Sequence, residues 1–301
     1  MATQTPETAG PARPAEKRTP QKEPKREGAI MNVFSQGFLW LWAVMIIVPM
    51  VWIVLTSFKS EREIASDPLG LPSVFRWENY VSAWNNAHIG QYFFNTLQVM
   101  VFSVTGTMLL GAMAAYVLAR YQFPGNKLLY FGFASGMMFP VFLALFPLFK
   151  TLDNVGLLYT YPGLILVYIA YSLPFTVFFL TAFFRTLPSG VAEAALIDGA
   201  GHYRLFFRVM LPMAKPGLIA ITIFNIIGQW NQFLLPLVLL NRDPDDAVIS
   251  QGLANLALRQ GYEGDPGALF AGTVLAMIPI FIAYVIFQRQ IQAGLTAGAI
   301  K

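Results

Sequence analysis

Cysteine is absent from the 301 residues, and there are only two histidines, His88 and His202. Without thiols the chain forms no disulfide, holds no thiolate metal site and has no cysteine nucleophile. Two histidines, placed by the charge pattern on opposite sides of the apolar spans, leave no plausible zinc cluster or Ser-His-Asp triad, so no metal or other cofactor is expected. Charge is scarce too: Asp, Glu, Lys and Arg make up 12% of the residues, against about 25% in an ordinary soluble domain. No Gly-x4-Gly-Lys-Ser/Thr loop occurs, so nucleotide phosphates are not bound in the P-loop manner. An enzyme is left with almost no residues to work with.

What fills the chain is apolar. Hydrophobic residues reach 56% and mean hydropathy is +0.55, values that point to an all-α integral membrane protein. Residues 1–29 hold much of the proline, lysine and arginine and no aromatic residue, so they predict a disordered tail. The apolar run after it is too long for a secretory signal and lacks a small-residue cleavage site. Six apolar segments follow, near residues 38–57, 93–118, 128–148, 161–184, 218–240 and 268–287, each long enough to cross a hydrocarbon core of about 30 Å. None contains Asp, Glu, Lys, Arg or His.

Orientation follows from the connecting segments. With the N-terminus inside, the inner segments hold 14 Lys and Arg and the outer ones 6. The positive-inside rule therefore predicts that both termini are cytoplasmic. The pI near 9.2 reflects this topology, and no nucleic-acid partner is expected. Ser103, Thr107, Gly111, Ala115 and Ala119, four residues apart, form a small-residue stripe for close helix packing. Pro140, Pro147 and Pro174 predict kinks or helix ends in the third and fourth spans.

The missing intramembrane charges weaken ion-coupled secondary transport, which usually needs a carboxylate or histidine there. What the spans do offer is neutral. In "LIAITIFNIIGQWNQFLLPLVLL", Asn225, Gln229 and Gln232 fall at i, i+4 and i+7 beside Trp230 and Asn231. Amides and an aromatic face suit uncharged, hydroxyl-rich cargo, or alternatively hydrogen-bond to neighbouring helices. These five residues are the candidate substrate pathway.

Between the fourth and fifth spans lies the polar stretch "EAALIDGAGHYRLFFRVMLP", Glu193 to Pro212. A helix start at Pro188–Ser189, a stop at Gly199 and Gly201 and a second arm from His202 to Met210 ended by Pro212 predict a hairpin over 189–212, lying against the membrane surface. It carries Glu193 on one arm and Arg204 and Arg208, four apart, on the other.

The hairpin resembles the E-A-A-x3-G-x9-I-x-L-P motif of membrane subunits of binding-protein-dependent ABC importers: Glu193, Ala194, Ala195, Gly199, Leu211 and Pro212 match, with Val209 in place of Ile. "WNQFLLPLVLL" (Trp230 to Leu240) and "GLTAGAIK" (Gly294 to Lys301) are similar to the maltose-type second permease subunit, with Gln232 where an acid is common. The resemblance covers roughly residues 30–301. It implies six transmembrane helices of the type I ABC importer permease fold with a cytoplasmic coupling helix-turn-helix, and a C-terminal tail over 288–301. It also implies a sugar substrate and three protein partners: a second homologous permease, a cytoplasmic ATP-binding dimer and an extracytoplasmic sugar-binding protein. Glu193, Ala194, Ala195, Asp198, Gly199, Arg204 and Arg208 would dock the ATPase, and Gly294, Leu295, Thr296 and Lys301 would reach it from the tail. The segment Asn241–Leu269, with five acids and two bases, would meet the binding protein or act as a solvated connector. The same machine carrying a polyol or glycerol phosphate is the alternative reading.

Overall fold

The computed structural model describes residues 27–297, and these form helices without strands. The chain divides into two compact units, through Val51 and from Trp52. Helix α1, Glu27–Thr56, begins in the first unit, so the expected disordered tail already becomes helical at Glu27; residues 1–26 lie outside the described residues. Ser35–Thr56 is long and apolar enough to cross a membrane.

The second unit is built around two long helices, α2 (Ile89–Arg120) and α5 (Tyr161–Thr186), both of membrane-spanning length and composition. Lipid gives helices no hydrophobic reason to associate, so close backbone approach must do it. The small-residue stripe supplies that approach: Ser103, Thr107 and Ala115 are fully buried, and a Cβ on Gly111 would lie 2.5 Å from Thr176 Cγ2 of α5. Gly111→Leu should therefore force the two helices apart and cost about 1–3 kcal/mol of stability through overpacking. A thermal melt of the purified chain in nanodiscs checks this; an unshifted melt would remove the stripe from the packing account.

The expected third span does not run straight. Helix α3 (Asn126–Gly136) and helix α4 (Val141–Asn154) meet at 101° across residues 137–140. Pro140 has no N–H to continue the ladder and drives the residue before it out of the α region, so the helix ends and a new one starts. Pro147 sits inside α4, and α5 continues through Pro174, so neither ends a helix. Gly136 lets the end of α3 approach α5 at Pro174, because a Cβ there would lie 2.9 Å from the proline ring.

The connection after α5 is helix α6 (Ser189–Ile197), a turn, and helix α7 (His202–Met213), which widens to a π-helix over Leu205–Met210. Pro212 does not end this arm as expected; the chain instead bends 76° at Ala214, into helix α8 (Lys215–Trp230). The wider π turn accommodates the proline. The expected fifth span, 218–240, is also corrected: α8 stops at Trp230, and a separate helix, α9 (Leu234–Leu239), follows the break at 231–233. In a continuous helix the ring of Pro236 would meet the carbonyl of Gln232.

Asn241–Leu269 is no loop. It contains helix α10 (Ile249–Glu263), whose Ile249, Leu253 and Leu256 fall at i, i+4 and i+7 and pack into a cluster with Ile89 and Tyr92. Asn95 Nδ2 donates to Asp245 O at 2.8 Å and to Ala247 O at 3.0 Å, anchoring the segment to the start of α2. Helix α11 (Pro266–Ala297) closes the fold. Four helices thus qualify as spans among the described residues, or up to six if each bent pair is one span.

The segment between α1 and α2 is held by one carboxylate. Glu63 accepts hydrogen bonds from the backbone N–H and hydroxyl of Ser60 and from those of Ser73. The Ser73 hydroxyl first, then the Ser60 N–H, pull the Glu63 pKa down to about 2. A lowered folded-state pKa contributes stability above the unfolded value, here 4.5, and that contribution is lost as pH falls towards the folded one. Protection of the Ser60 and Ser73 amides, relative to their unstructured exchange rates, should therefore fall between pH 4.5 and about 2. Glu63→Gln should already show fast exchange at pH 7; equal protection in both proteins would sink this account.

Candidate functional site

The hairpin turn is a Schellman motif: Ala200 N–H donates to Ala195 O at 2.9 Å and Gly199 N–H to Leu196 O at 3.0 Å. Gly199 has φ +80, a left-handed conformation that costs other residues about 1–2 kcal/mol. The two arms then differ in burial. On α6, Glu193 and Ala194 are exposed, as is Asp198 at its end, while Ala195 is half-buried. On α7, Leu205, Phe206 and Met210 are buried in one cluster with Ala112, Tyr116 and Phe184 of α2 and α5. The second arm thus wedges its apolar face into the core between two helix ends, while His202, Tyr203, Arg204, Phe207 and Arg208 stay exposed. Phe206 and Tyr116 rings stand 5.0 Å apart.

Further bonds fix the wedge. The Tyr121 hydroxyl shares a hydrogen bond with His202 Nδ1 at 2.9 Å, and Arg120 Nη2 donates to Leu187 O at 2.5 Å. Arg204 and Arg208 are exposed. Among the described residues the Glu193, Arg204 and Arg208 side chains have no hydrogen-bond or ion-pair partner. Flanking the turn, Ile197 is 85% and Tyr203 80% exposed. Sequence reasoning missed this apolar pair; two large apolar residues beside a polar turn are the available signal.

A cavity of about 420 Å³ opens among α3, α5 and α8. Both breaks in the apolar runs line it, through Met137 and Phe139 from one and Gln232 from the other. Irregular backbone at membrane depth is tolerated where it lines a cavity or is buried in protein. The α5 wall carries Tyr168, Tyr171, Ser172 and Phe175, which fall at i, i+3, i+4 and i+7. Sequence reasoning missed this wall as well, although polar and aromatic residues at helical spacing inside an apolar span are its signal.

The five candidate pathway residues separate. Asn225 donates to Thr176 Oγ1 at 2.9 Å and to Ile221 O at 3.1 Å. Gln229 donates to Ser172 Oγ at 3.1 Å and accepts from the Ser103 hydroxyl at 2.5 Å. Their amides tie α8 to α5 and α2, although both also line the cavity. Gln232 lines it as well, beyond the end of the helix, and among the described residues its side-chain amide is unbonded. Trp230 and Asn231 do not share that face. The Trp230 indole donates to Ala276 O of α11 at 3.1 Å, and Asn231 is exposed and donates to Ile227 O at 2.8 Å. The backbone is helical through Gly294, Leu295 and Thr296, but their side chains, and all of Lys301, lie outside the described residues.

Residues 107–296 match the family described as binding-protein-dependent transport system inner membrane component. The chain is 54% identical over 267 residues to a diacetylchitobiose uptake system permease of Streptomyces coelicolor, covering 89% of this chain and 88% of that protein. It is 35% identical over 275 residues to a trehalose transport system permease of Mycobacterium tuberculosis, covering 91% and 96%. Among solved structures it is similar to a chain of a bacterial ABC transporter involved in the import of the acidic polysaccharide alginate. The TM-score there is 0.77 at 22% identity, over 89% of this chain and 99% of that one.

Proposed function

The chain belongs to the family of binding-protein-dependent transport system inner membrane components, and on that premise we propose that it is one of two permease subunits of an ATP-driven sugar importer. The observation that carries the coupling part is the hairpin: an exposed arm bearing Glu193 and flanked by Ile197, joined by a rigid turn to an arm wedged between α2 and α5. Such a lever transmits force from a partner that grips its tip to the spans that enclose the cavity.

The partner at the tip is a cytoplasmic ATP-binding dimer, which receives Glu193, Ala194, Ala195, Asp198, Gly199, Arg204 and Arg208. Gly294, Leu295, Thr296 and Lys301 reach the same dimer. ATP-driven closure of the dimer switches the spans between inward-open and outward-open states, each stabilised by different contacts. Hydrolysis belongs to the partner, so this subunit is not itself an enzyme. The excess of Lys and Arg in alternate segments supports cytoplasmic termini and a cytoplasmic hairpin. Asn241–Leu269, at the opposite end of α2, then faces the extracytoplasmic sugar-binding protein.

Sugar as cargo is supported by the relatives' substrates, diacetylchitobiose and trehalose, and by a cavity of aromatic rings and neutral amides that suits hydroxyl-rich rings. The cavity is this subunit's share of the pathway, with the second permease closing its open side. A pull-down of the tagged chain from its native membrane in mild detergent tests the assembly. A P-loop ATPase and a second multi-span protein should co-purify, and vesicles holding the complex should take up sugar only with ATP. Isolation of the chain alone, or uptake driven by an ion gradient without ATP, would overturn the reading.

A further inference from the structure

We propose that this subunit's cavity is a charge filter, passing uncharged sugars and rejecting those that carry a carboxylate or an ammonium group. The proposal rests on the importer reading for the identity of the cargo, but its physical basis is the cavity wall. Among the described residues no Asp, Glu, Lys, Arg or His lines it, and none occurs within the expected spans. An ionised group entering there leaves water without gaining a counter-charge from this chain.

The polar groups that remain are few and neutral. The amino groups of Asn225 and Gln229 are occupied by Thr176 and Ser172. Among the described residues Tyr168 also carries an unpartnered hydroxyl but is only 3% exposed, so the groups free to meet cargo are the Gln232 amide, at the break after α8, and the hydroxyl of Tyr171, a residue 52% exposed. Both donate and accept, as sugar hydroxyls do. The fold does not impose this neutrality, since the similar solved chain comes from an importer of an acidic polysaccharide. Gln232 is the position at which one substitution would place a charge in the cavity.

The absence of native cysteine makes a direct test available in the assembled complex in nanodiscs. Tyr171→Cys and, separately, Gln232→Cys each give a unique thiol within this chain. Each is treated with methanethiosulfonates bearing a neutral hydroxyethyl, an anionic sulfonatoethyl or a cationic trimethylammonioethyl group, with rates normalised to those at the exposed position Asn241→Cys. The neutral reagent should react at least about tenfold faster than either charged one at both positions. Adding Gln232→Lys to Tyr171→Cys should restore the anionic rate by about tenfold, through an opposite charge in a low-dielectric site.

Charged reagents reacting as fast as the neutral one would overturn the filter. An anionic rate unmoved by Gln232→Lys would remove Gln232 from the cavity wall that cargo meets. If Gln232→Cys fails to assemble, Tyr171→Cys decides. ATP-dependent sugar uptake by the unsubstituted complex is read separately: its absence sinks the importer reading and leaves the reagent ranking standing, whereas intact uptake with charge-blind labelling sinks the filter alone.

Discussion

Glu193→Lys should abolish ATP-driven uptake while leaving the chain in the membrane at its normal level. The side chain is exposed on α6 and makes no hydrogen bond or ion pair among the described residues, so its replacement removes nothing from the fold. What it reverses is the charge offered to a partner. Losing one member of a docked charge pair costs about 2–5 kcal/mol, and reversal adds repulsion, so uptake falls by at least about 100-fold, each tenfold being about 1.4 kcal/mol. The measurement is uptake in vesicles beside quantitation of the chain and of the co-purifying ATPase. Normal uptake with the ATPase still bound would remove Glu193 from coupling. Loss of the chain itself from the membrane would show that the residue has a structural role.

Much of the architecture behind that result is legible in the order of the residues. Apolar runs free of ionisable residues mark the spans, and the stripe from Ser103 to Ala115 marks the α2–α5 contact, because small residues at a spacing of four have few other uses in lipid. The hairpin is legible from Gly199 and the polar residues around it. What stays hidden is tertiary. Pro140 and Pro236 announce breaks, but nothing local says that both line one cavity. The amide face of α8 is visible as periodicity, yet whether Asn225 and Gln229 face neighbours or a void depends on Ser103, Ser172 and Thr176, which come from two other helices. Helix α10 escapes notice because acids at both ends of Asn241–Leu269 mask the apolar spacing of Ile249, Leu253 and Leu256.

Phe206→Ala separates docking from transmission. The ring is 5% exposed and packs against Tyr116 and beside Phe184, so its removal costs about 3–5 kcal/mol if the wedge cannot collapse. The exposed arm is untouched: Glu193, Ala194 and Asp198 keep their exposure and the same Schellman turn, so the docking proposed for them should persist. The expected result is an ATPase that co-purifies normally, a lowered melting temperature and several-fold more ATP hydrolysed per sugar moved, because the lever has come loose from α2 and α5. Phe206→Leu, which refills most of the space, should recover most of both losses. Unchanged stoichiometry in a destabilised Phe206→Ala complex would mean that force reaches the spans by another route. The remaining continuous connection is the turn at Ala214, where α7 bends 76° into α8. Movement entering there would displace Asn225 and Gln229 directly, and with them the wall of the cavity that Gln232 completes.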